Sequence, residues 1–392
     1  MSAGRRALAE LLSAKEMIVV CGSGGTGKTT IAAALGAQAA AVLGGRVLVL
    51  TVDPARRLAT ALGVGSFGNT AVKVAPEALA AAGNESRGEL WVQMLDTKAG
   101  WDDLIRRHAP DARLRDTVLA NPLYRNITGR FVNSHDYLAM EQLHDLHTSG
   151  KYDVVVIDTP PSRNALDLLD APRRMREFFG SRLLKWLTVP YRSRLFTVAS
   201  RPFYQVADRI LGSRFLQDIA EFFVLFQTME AGFVSRAKEV ERLLTDDGTA
   251  FIVVTTLEAA PTREARFMVE ELLRRRMPLG AMVLNRTLPD EVRQSAAMKA
   301  SKALTVAALD GELTAALAQE TGTDEDAVQH VLGEVAARFR DVAVLAGREA
   351  ERRRELEQMV PVTVNVPTMA TDVHDLAGLL AIGRHLLGDG SR

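Results

Sequence analysis

The chain has 392 residues, with 48 basic residues balanced by 48 acidic ones. That length suits one large α/β domain or two ordinary ones, and a zero net charge excludes a global field drawing the chain to nucleic acid or membrane. A single cysteine excludes a disulfide framework and any thiolate cage built within one chain.

Near the start, Arg5 and Arg6 are followed by Glu10 and Lys15, which interrupt any signal-peptide core. No run reaches transmembrane length, so a soluble cytoplasmic protein is expected. The first apolar run, Met17 to Cys21, has strand character. It leads into Gly22-Ser23-Gly24-Gly25-Thr26-Gly27-Lys28-Thr29, which reads G-x-x-x-x-G-K-T, the phosphate-binding loop of nucleoside triphosphatases. An alanine-rich helical stretch, Thr30 to Leu43, follows and is closed by Gly44-Gly45. Strand, glycine loop and helix are the context this motif requires. Glycines allow backbone N–H groups to converge on phosphate oxygens, and a helix N-terminus adds favourable potential. Lys28 is placed to reach the β- and γ-phosphates, and the Thr29 hydroxyl to meet Mg²⁺.

Further apolar runs without alternation suit strands buried on both faces of a parallel sheet. They are Arg46 to Asp53, Leu90 to Met94, Val154 to Ile157, Phe251 to Thr255, Ala281 to Leu284 and Val362 to Val366. Helical patterns separate most of them, so the chain reads as one α/β domain over residues 1–392, doubly wound around a mostly parallel sheet. Two stretches break the rhythm. Residues 97–149 and 171–245 are helical in pattern and read as an inserted helical subdomain. A third helical block, Pro289 to Met359, ends in the charged run Arg348 to Glu357, read as a solvated helix face.

Two carboxylates end expected central strands, where open α/β sheets place their ligands. Asp158 closes Val154 to Ile157, the pattern of the acid that holds Mg²⁺ in phosphate-loop enzymes. Asp53 closes Val47 to Val52, where a carboxylate can position the attacking water. Both positions also suit helix-capping or turn aspartates. Glu141-x-x-His144, with His147 and His135 nearby, has the spacing of a di-iron half-site, but no second Glu-x-x-His exists. Solvated helix histidines are the expectation there.

Together, Gly24-Gly25-Thr26-Gly27-Lys28-Thr29-Thr30, Asp53-Pro54-Ala55 and Asp158-Thr159-Pro160-Pro161 resemble the arsenite-pump ATPase family, which includes the ATPase that guides tail-anchored proteins to membranes. The likeness continues in Val283-Leu284-Asn285-Arg286 and Val366-Pro367. It implies an ATP- and Mg²⁺-dependent ATPase with the phosphate-loop fold. Residues 24–30 then hold phosphate, Thr29 and Asp158 serve the metal, and Asp53 handles water in switch I. Asp158 opens switch II, Asn285 reads adenine, and Arg286 and Pro367 lie on the adenine side. The family works as dimers with nucleotide at the interface, opening and closing a helical surface.

The departures are as informative. The family carries a signature lysine immediately before the Gly-Gly pair, reaching the partner's phosphates; here that position is Ser23. A cation delivered in trans contributes about 10³-fold or more, roughly 4 kcal/mol. Slow hydrolysis, an arginine substitute such as Arg56 or Arg163, or a lysine-bearing partner chain are the alternatives, the last preferred over a homodimer. Asn164 stands where the tail-anchored-protein ATPase has a histidine. Cys21 alone cannot build an arsenite site, a zinc clasp or an iron–sulfur site. Residues 171–233 hold over half of the aromatics, and basic residues far outnumber acidic ones between Pro172 and Arg214. That mixture suits an apolar client helix or a membrane surface, or else a helical core with solvated arginines. No nucleic acid is expected, although a partition-type ATPase that binds DNA is a further alternative. A nucleotide-binding regulatory subunit with little turnover of its own is the competing function.

Overall fold

The computed structural model describes residues 3–52, 60–62, 64, 70–82, 87–94, 102, 105–106, 109, 111–121, 124, 134–180, 230–293, 295–307 and 310–388. The expected strands all form: β1 (Met17–Gly22), β2 (Gly45–Thr51), β4 (Gly88–Met94), β5 (Val154–Asp158), β6 (Thr249–Thr255), β7 (Leu279–Thr287) and β8 (Thr363–Pro367). A further strand, β3 (Val72–Lys73), carries no apolar run and has no sequence signal. The sheet order is β3-β4-β2-β5-β1-β6-β7-β8. Every neighbouring pair is parallel except β3 with β4.

Both faces of the sheet are buried, which explains the unbroken apolar runs. Along β1, Ile18 and Val20 face one layer while Met17, Val19 and Cys21 face the other. The first layer contains α1 (Ala3–Ser13), α2 (Lys28–Val42), α3 (Pro76–Ala81) and α13 (Leu376–Leu387). Helix α2 is buried on nearly every side, which its small alanines permit. Gly383 lets α13 approach it closely, since a Cβ there would lie 2.6 Å from the Gln38 Cβ and 3.1 Å from the Ala34 carbonyl oxygen.

Between β4 and β5 the described helices are α4 (Ala112–Ala120) and α5 (Ser134–Thr148). Between β5 and β6 they are α6 (Ser162–Gly180) and α7 (Glu230–Thr245), and α8 (Ala259–Arg274) links β6 to β7. Leu143 of α5, Leu168 of α6, Leu244 of α7 and Met268 of α8 pack on the second face of the sheet. Residues 181–229, which hold most of the aromatic and basic stretch, lie outside the described residues. What is described of that stretch is tied inward: Phe233 is buried against Tyr137, and Arg176 pairs with Glu241 at 2.7 Å.

The block between β7 and β8 consists of α9 (Asp290–Arg293), α10 (Ser295–Ala307), α11 (Gly311–Thr321) and the long α12 (Glu325–Glu357). Its charged end is not simply a solvated face. Arg352 donates to the Leu257 carbonyl at 2.6 Å, Glu349 accepts from the Leu288 amide at 3.2 Å, and Leu356 is fully buried. Among the described residues, no helix is long and apolar enough to cross a membrane.

Candidate functional site

Strand β1 is central in the sheet, so the loop that follows it emerges among the carboxyl ends of neighbouring strands. Gly25 has φ 79° and Gly27 has φ 87°, left-handed values that suit glycine. Gly27 caps α2, and Lys28 is its first residue. A Cβ on Gly27 would lie 2.5 Å from the Asn285 Nδ2. The Lys28 Nζ turns back and donates to the Ser23 carbonyl at 2.9 Å, and the Thr26 hydroxyl donates to the same oxygen at 2.9 Å. Lys28 is only 7% exposed, while Gly24 and Gly25 are exposed and Thr29 and Thr30 are half-buried.

The other side of the loop is held from β7. Asn285 donates from Nδ2 to the Thr26 carbonyl at 2.8 Å and accepts the Arg286 amide at 3.0 Å. Arg286 is exposed, has φ 53°, and donates to the Gly25 carbonyl at 3.4 Å. Two adjacent residues at the end of β7 therefore grip two consecutive loop carbonyls. Pro367 ends β8 in register with Thr287, next to this grip. The residues expected on the adenine side thus lie together, with the Asn285 amide turned toward the loop backbone.

Asp158 stands at the end of β5, in register with Val20 of β1 and Thr51 of β2. It is 1% exposed and accepts the Thr51 hydroxyl at 3.2 Å. Thr159 donates from its hydroxyl to the Val20 carbonyl at 2.9 Å, and the Pro161 ring lies 3.9 Å from where a Gly24 Cβ would stand. Sequence reasoning named Pro161 only as part of the Asp158–Pro161 motif and gave Thr51 no role. A hydroxyl closing an apolar strand beside an acid was the available signal for Thr51. Residues 53–59, with Asp53 and Arg56, lie outside the described residues, as do the side chains of Arg163 and Asn164.

Ser23 is 5% exposed, and its hydroxyl is buried without a hydrogen-bond partner among the described residues. Cys21, one strand residue before the loop, is fully buried, and burial pushes its thiol up to about 12 against the opposing pull of Lys28. That thiol is held as a neutral core group. His144 corrects the expectation of solvated helix histidines: it is 9% exposed, and Glu141 one turn before it is 1% exposed. Arg236 of α7 lies 3.4 Å from Glu141 and donates to the His144 Nδ1 at 2.7 Å. Burial, then Arg236, holds the His144 imidazole below its ordinary value. A cation occupies the middle of this group, which is an interhelix ion cluster. Among the described residues, no group of three or more His, Cys, Asp and Glu side chains could hold a metal ion.

Comparison with known proteins finds several relatives. A putative arsenical pump-driving ATPase of Aquifex aeolicus is 25% identical over 295 residues, covering 71% of this chain and 65% of its own. An uncharacterized protein of Streptomyces coelicolor is 29% identical, covering 70% and 63%. The chain therefore spans just under two thirds of the length of these two relatives. ATPase BagA of Mycobacterium tuberculosis is 24% identical over 97% of this chain and 95% of its own. The model of the anion-transporting ATPase family matches residues 15–311, which contain the loop, β1 through β7 and the Asn285–Arg286 grip, and the chain belongs to that family.

Proposed function

We propose that this chain binds ATP with Mg²⁺ at the carboxyl ends of β1, β5 and β7 and hydrolyses it as a conformational switch. The loop carries the reading. Its αL glycines and the start of α2 supply backbone amides for the phosphates, and Lys28, held on a loop carbonyl, supplies the ammonium for the β- and γ-phosphates. The donor set fits the metal. Thr29 and buried Asp158 offer hard oxygens, and Mg²⁺ is ordinarily held by one or two such groups completed by phosphate and water. Bound there, Mg²⁺ would neutralise charge on the phosphates. Thr51 orients the Asp158 carboxylate, Asp53 positions the water, and Asn285, Arg286 and Pro367 face the base.

The proposed switch acts through paired nucleotide domains and a helical subdomain formed by residues 97–149 and 171–245, with an apolar client helix or a membrane surface as its target. The preferred partner is a lysine-bearing paralogous chain, because Ser23 brings no cation to the loop. The same residue favours a second reading, a nucleotide-binding regulatory subunit with little turnover of its own. The deciding experiment is ATP turnover by the purified chain with Mg²⁺, beside Lys28→Ala. Turnover above that variant supports the self-sufficient switch. Nucleotide bound without turnover supports the regulatory subunit, and failure to bind nucleotide refutes both. Identical dye and liposome binding by the nucleotide-free and ATP-bound forms would remove the client surface.

A further inference from the structure

A second cleft lies at the end of the sheet opposite the phosphate loop. Helix α7 ends at Thr245 just before β6 begins at Thr249, and α8 ends at Arg274 just before β7 begins at Leu279. Both helices therefore close at the amino ends of parallel strands, whereas the loop leaves the carboxyl end of β1. Between these helix ends and the interior of α6 is a cavity of about 540 Å³, floored by buried Leu169, Leu244 and Met277. Six cations line it: Arg173 and Arg176 of α6, Lys238 and Arg242 of α7, and Arg274 and Arg275 at the end of α8. Among the described residues, Asp170 and Glu241 are the carboxylates that line it with them.

Those carboxylates are already spent. Asp170 takes Arg275 at 2.5 and 3.1 Å, Glu241 takes Arg176 at 2.7 Å, and Glu271, outside the lining, takes Arg274 and Arg275. Asp246, the next acid along the chain, accepts the Gly248 amide at 2.7 Å. Arg173 reaches Asp170 and Glu177 only at 3.6 and 3.8 Å. Among the described residues, Lys238 and Arg242 have no ion-pair or hydrogen-bond partner, and Arg176 keeps a buried Nε without one. Cations in a last helical turn offset the helix dipole, which accounts for Arg242 and Arg274. It does not account for Lys238, two turns before the end of α7, or for Arg173 and Arg176 inside α6. Gathered cations repel one another, so the excess charge works against the fold.

We propose that this cleft binds a small soluble compound carrying two or more phosphoryl groups, at a site separate from the nucleotide loop. Guanidinium groups present paired donors that match phosphoryl oxygens, and Lys238 adds a compact point charge. The volume is that of a small-molecule site. Among the described residues, no aromatic side chain lines the cleft to stack a base, which favours a phosphate-rich compound over a second nucleotide. The cations surround a concavity, which suits a free anion better than the flat headgroup plane of a membrane. An anion held there ties α6, whose first residue is four positions after Asp158, to α7 and α8. Binding needs no nucleotide and is independent of the function proposed above.

The test uses the full chain in a Lys28→Ala background, which weakens competition from the loop, with inorganic tripolyphosphate as the probe. Lys238 is exposed and is followed by acetylation and mass spectrometry, beside exposed Lys299 and Lys302 of α10. With the probe at about ten times its Kd, acetylation of Lys238 should slow by about 10-fold while the two α10 lysines are unchanged. Calorimetric binding should weaken by about 10-fold or more in Lys238→Gln/Arg242→Gln, which removes two charged donors. Thermal unfolding checks that this variant folds. Lys238 left unprotected overturns the proposal whatever the calorimetry shows, because that readout is local and needs no substitution in the cleft. Undiminished binding by the folded double variant overturns it, as does equal affinity for citrate or sulfate, the mark of unspecific attraction. Protection of Lys238 by phosphatidylglycerol vesicles but not by tripolyphosphate overturns it in favour of a membrane.

Discussion

Gly27→Ala tests whether the geometry around the loop is what makes it a nucleotide site. Gly27 sits at φ 87°, and a methyl there would lie 2.5 Å from the Asn285 Nδ2. Holding alanine in the left-handed region costs about 1–2 kcal/mol. Moving the amide away from the Thr26 carbonyl, now 2.8 Å distant, forfeits about 0.5–1.5 kcal/mol. Where this half-buried turn relaxes in the free protein, most of the strain must be restored when the loop closes on phosphate. About 1.5–3.5 kcal/mol corresponds to roughly 10- to 400-fold weaker binding. Titration with a fluorescent ATP analogue measures it, with thermal unfolding of the nucleotide-free protein as the control for folding. Because the clash and the grip share one amide, Asn285→Ala and Gly27→Ala should be sub-additive when combined. Binding within about 3-fold of wild type, or losses that add, would show that this contact does not shape the site.

Ser23→Lys places a cation beside the Gly-Gly pair; steady-state turnover should rise by about 10-fold or more if that charge limits hydrolysis, and an unchanged rate would remove Ser23 from the explanation. Cys21 governs part of the alkaline limb of stability. Its folded thiol lies near 12 against an ordinary 9, so unfolding releases a proton in that window and stability falls as pH rises, by about 1.4 kcal/mol per unit. Denaturant titrations at pH 8 and pH 10 should show a smaller decline for Cys21→Ala, and parallel declines would contradict the burial. Arg236→Ala takes the cation from between buried Glu141 and His144 and should cost about 3 kcal/mol of unfolding free energy. The His144 midpoint, followed by NMR in a folded Arg236→Gln variant, should move upward, since one of its depressing charges is gone.

The sheet was legible because strands buried on both faces have no polar alternation to confuse with anything else. Met17 to Cys21 and Val154 to Ile157 are such runs, and each pairs in parallel as expected. The strand β3 was not, because two residues held by backbone pairing and a Lys73–Glu89 bridge leave no pattern. At the site, residue types and spacing point to Gly24 to Thr30 and Asp158, and the family resemblance to Asn285, but none of these discloses their contacts. That Lys28 rests on the Ser23 carbonyl, or that Arg286 holds Gly25, depends on three-dimensional proximity across 5 and 261 residues. His144 looks solvated in one dimension because the cation it shares with Glu141 comes from Arg236, 92 positions beyond it. The Arg348–Glu357 run misled for the same reason: Arg352 finds its acceptor at Leu257, 95 residues away.

Helix α6 begins at Ser162, four positions after Asp158, and extends for 19 residues. At 1.5 Å per residue it is a rod of about 28 Å that starts beside the buried carboxylate. A tilt of about 5° at that end would carry the far tip through about 2.5 Å. Pro172 interrupts the rod past its midpoint, where the missing amide hydrogen bond makes it compliant. In the proposed switch the near half would carry the leverage, and the far half would bend to meet the load placed on it.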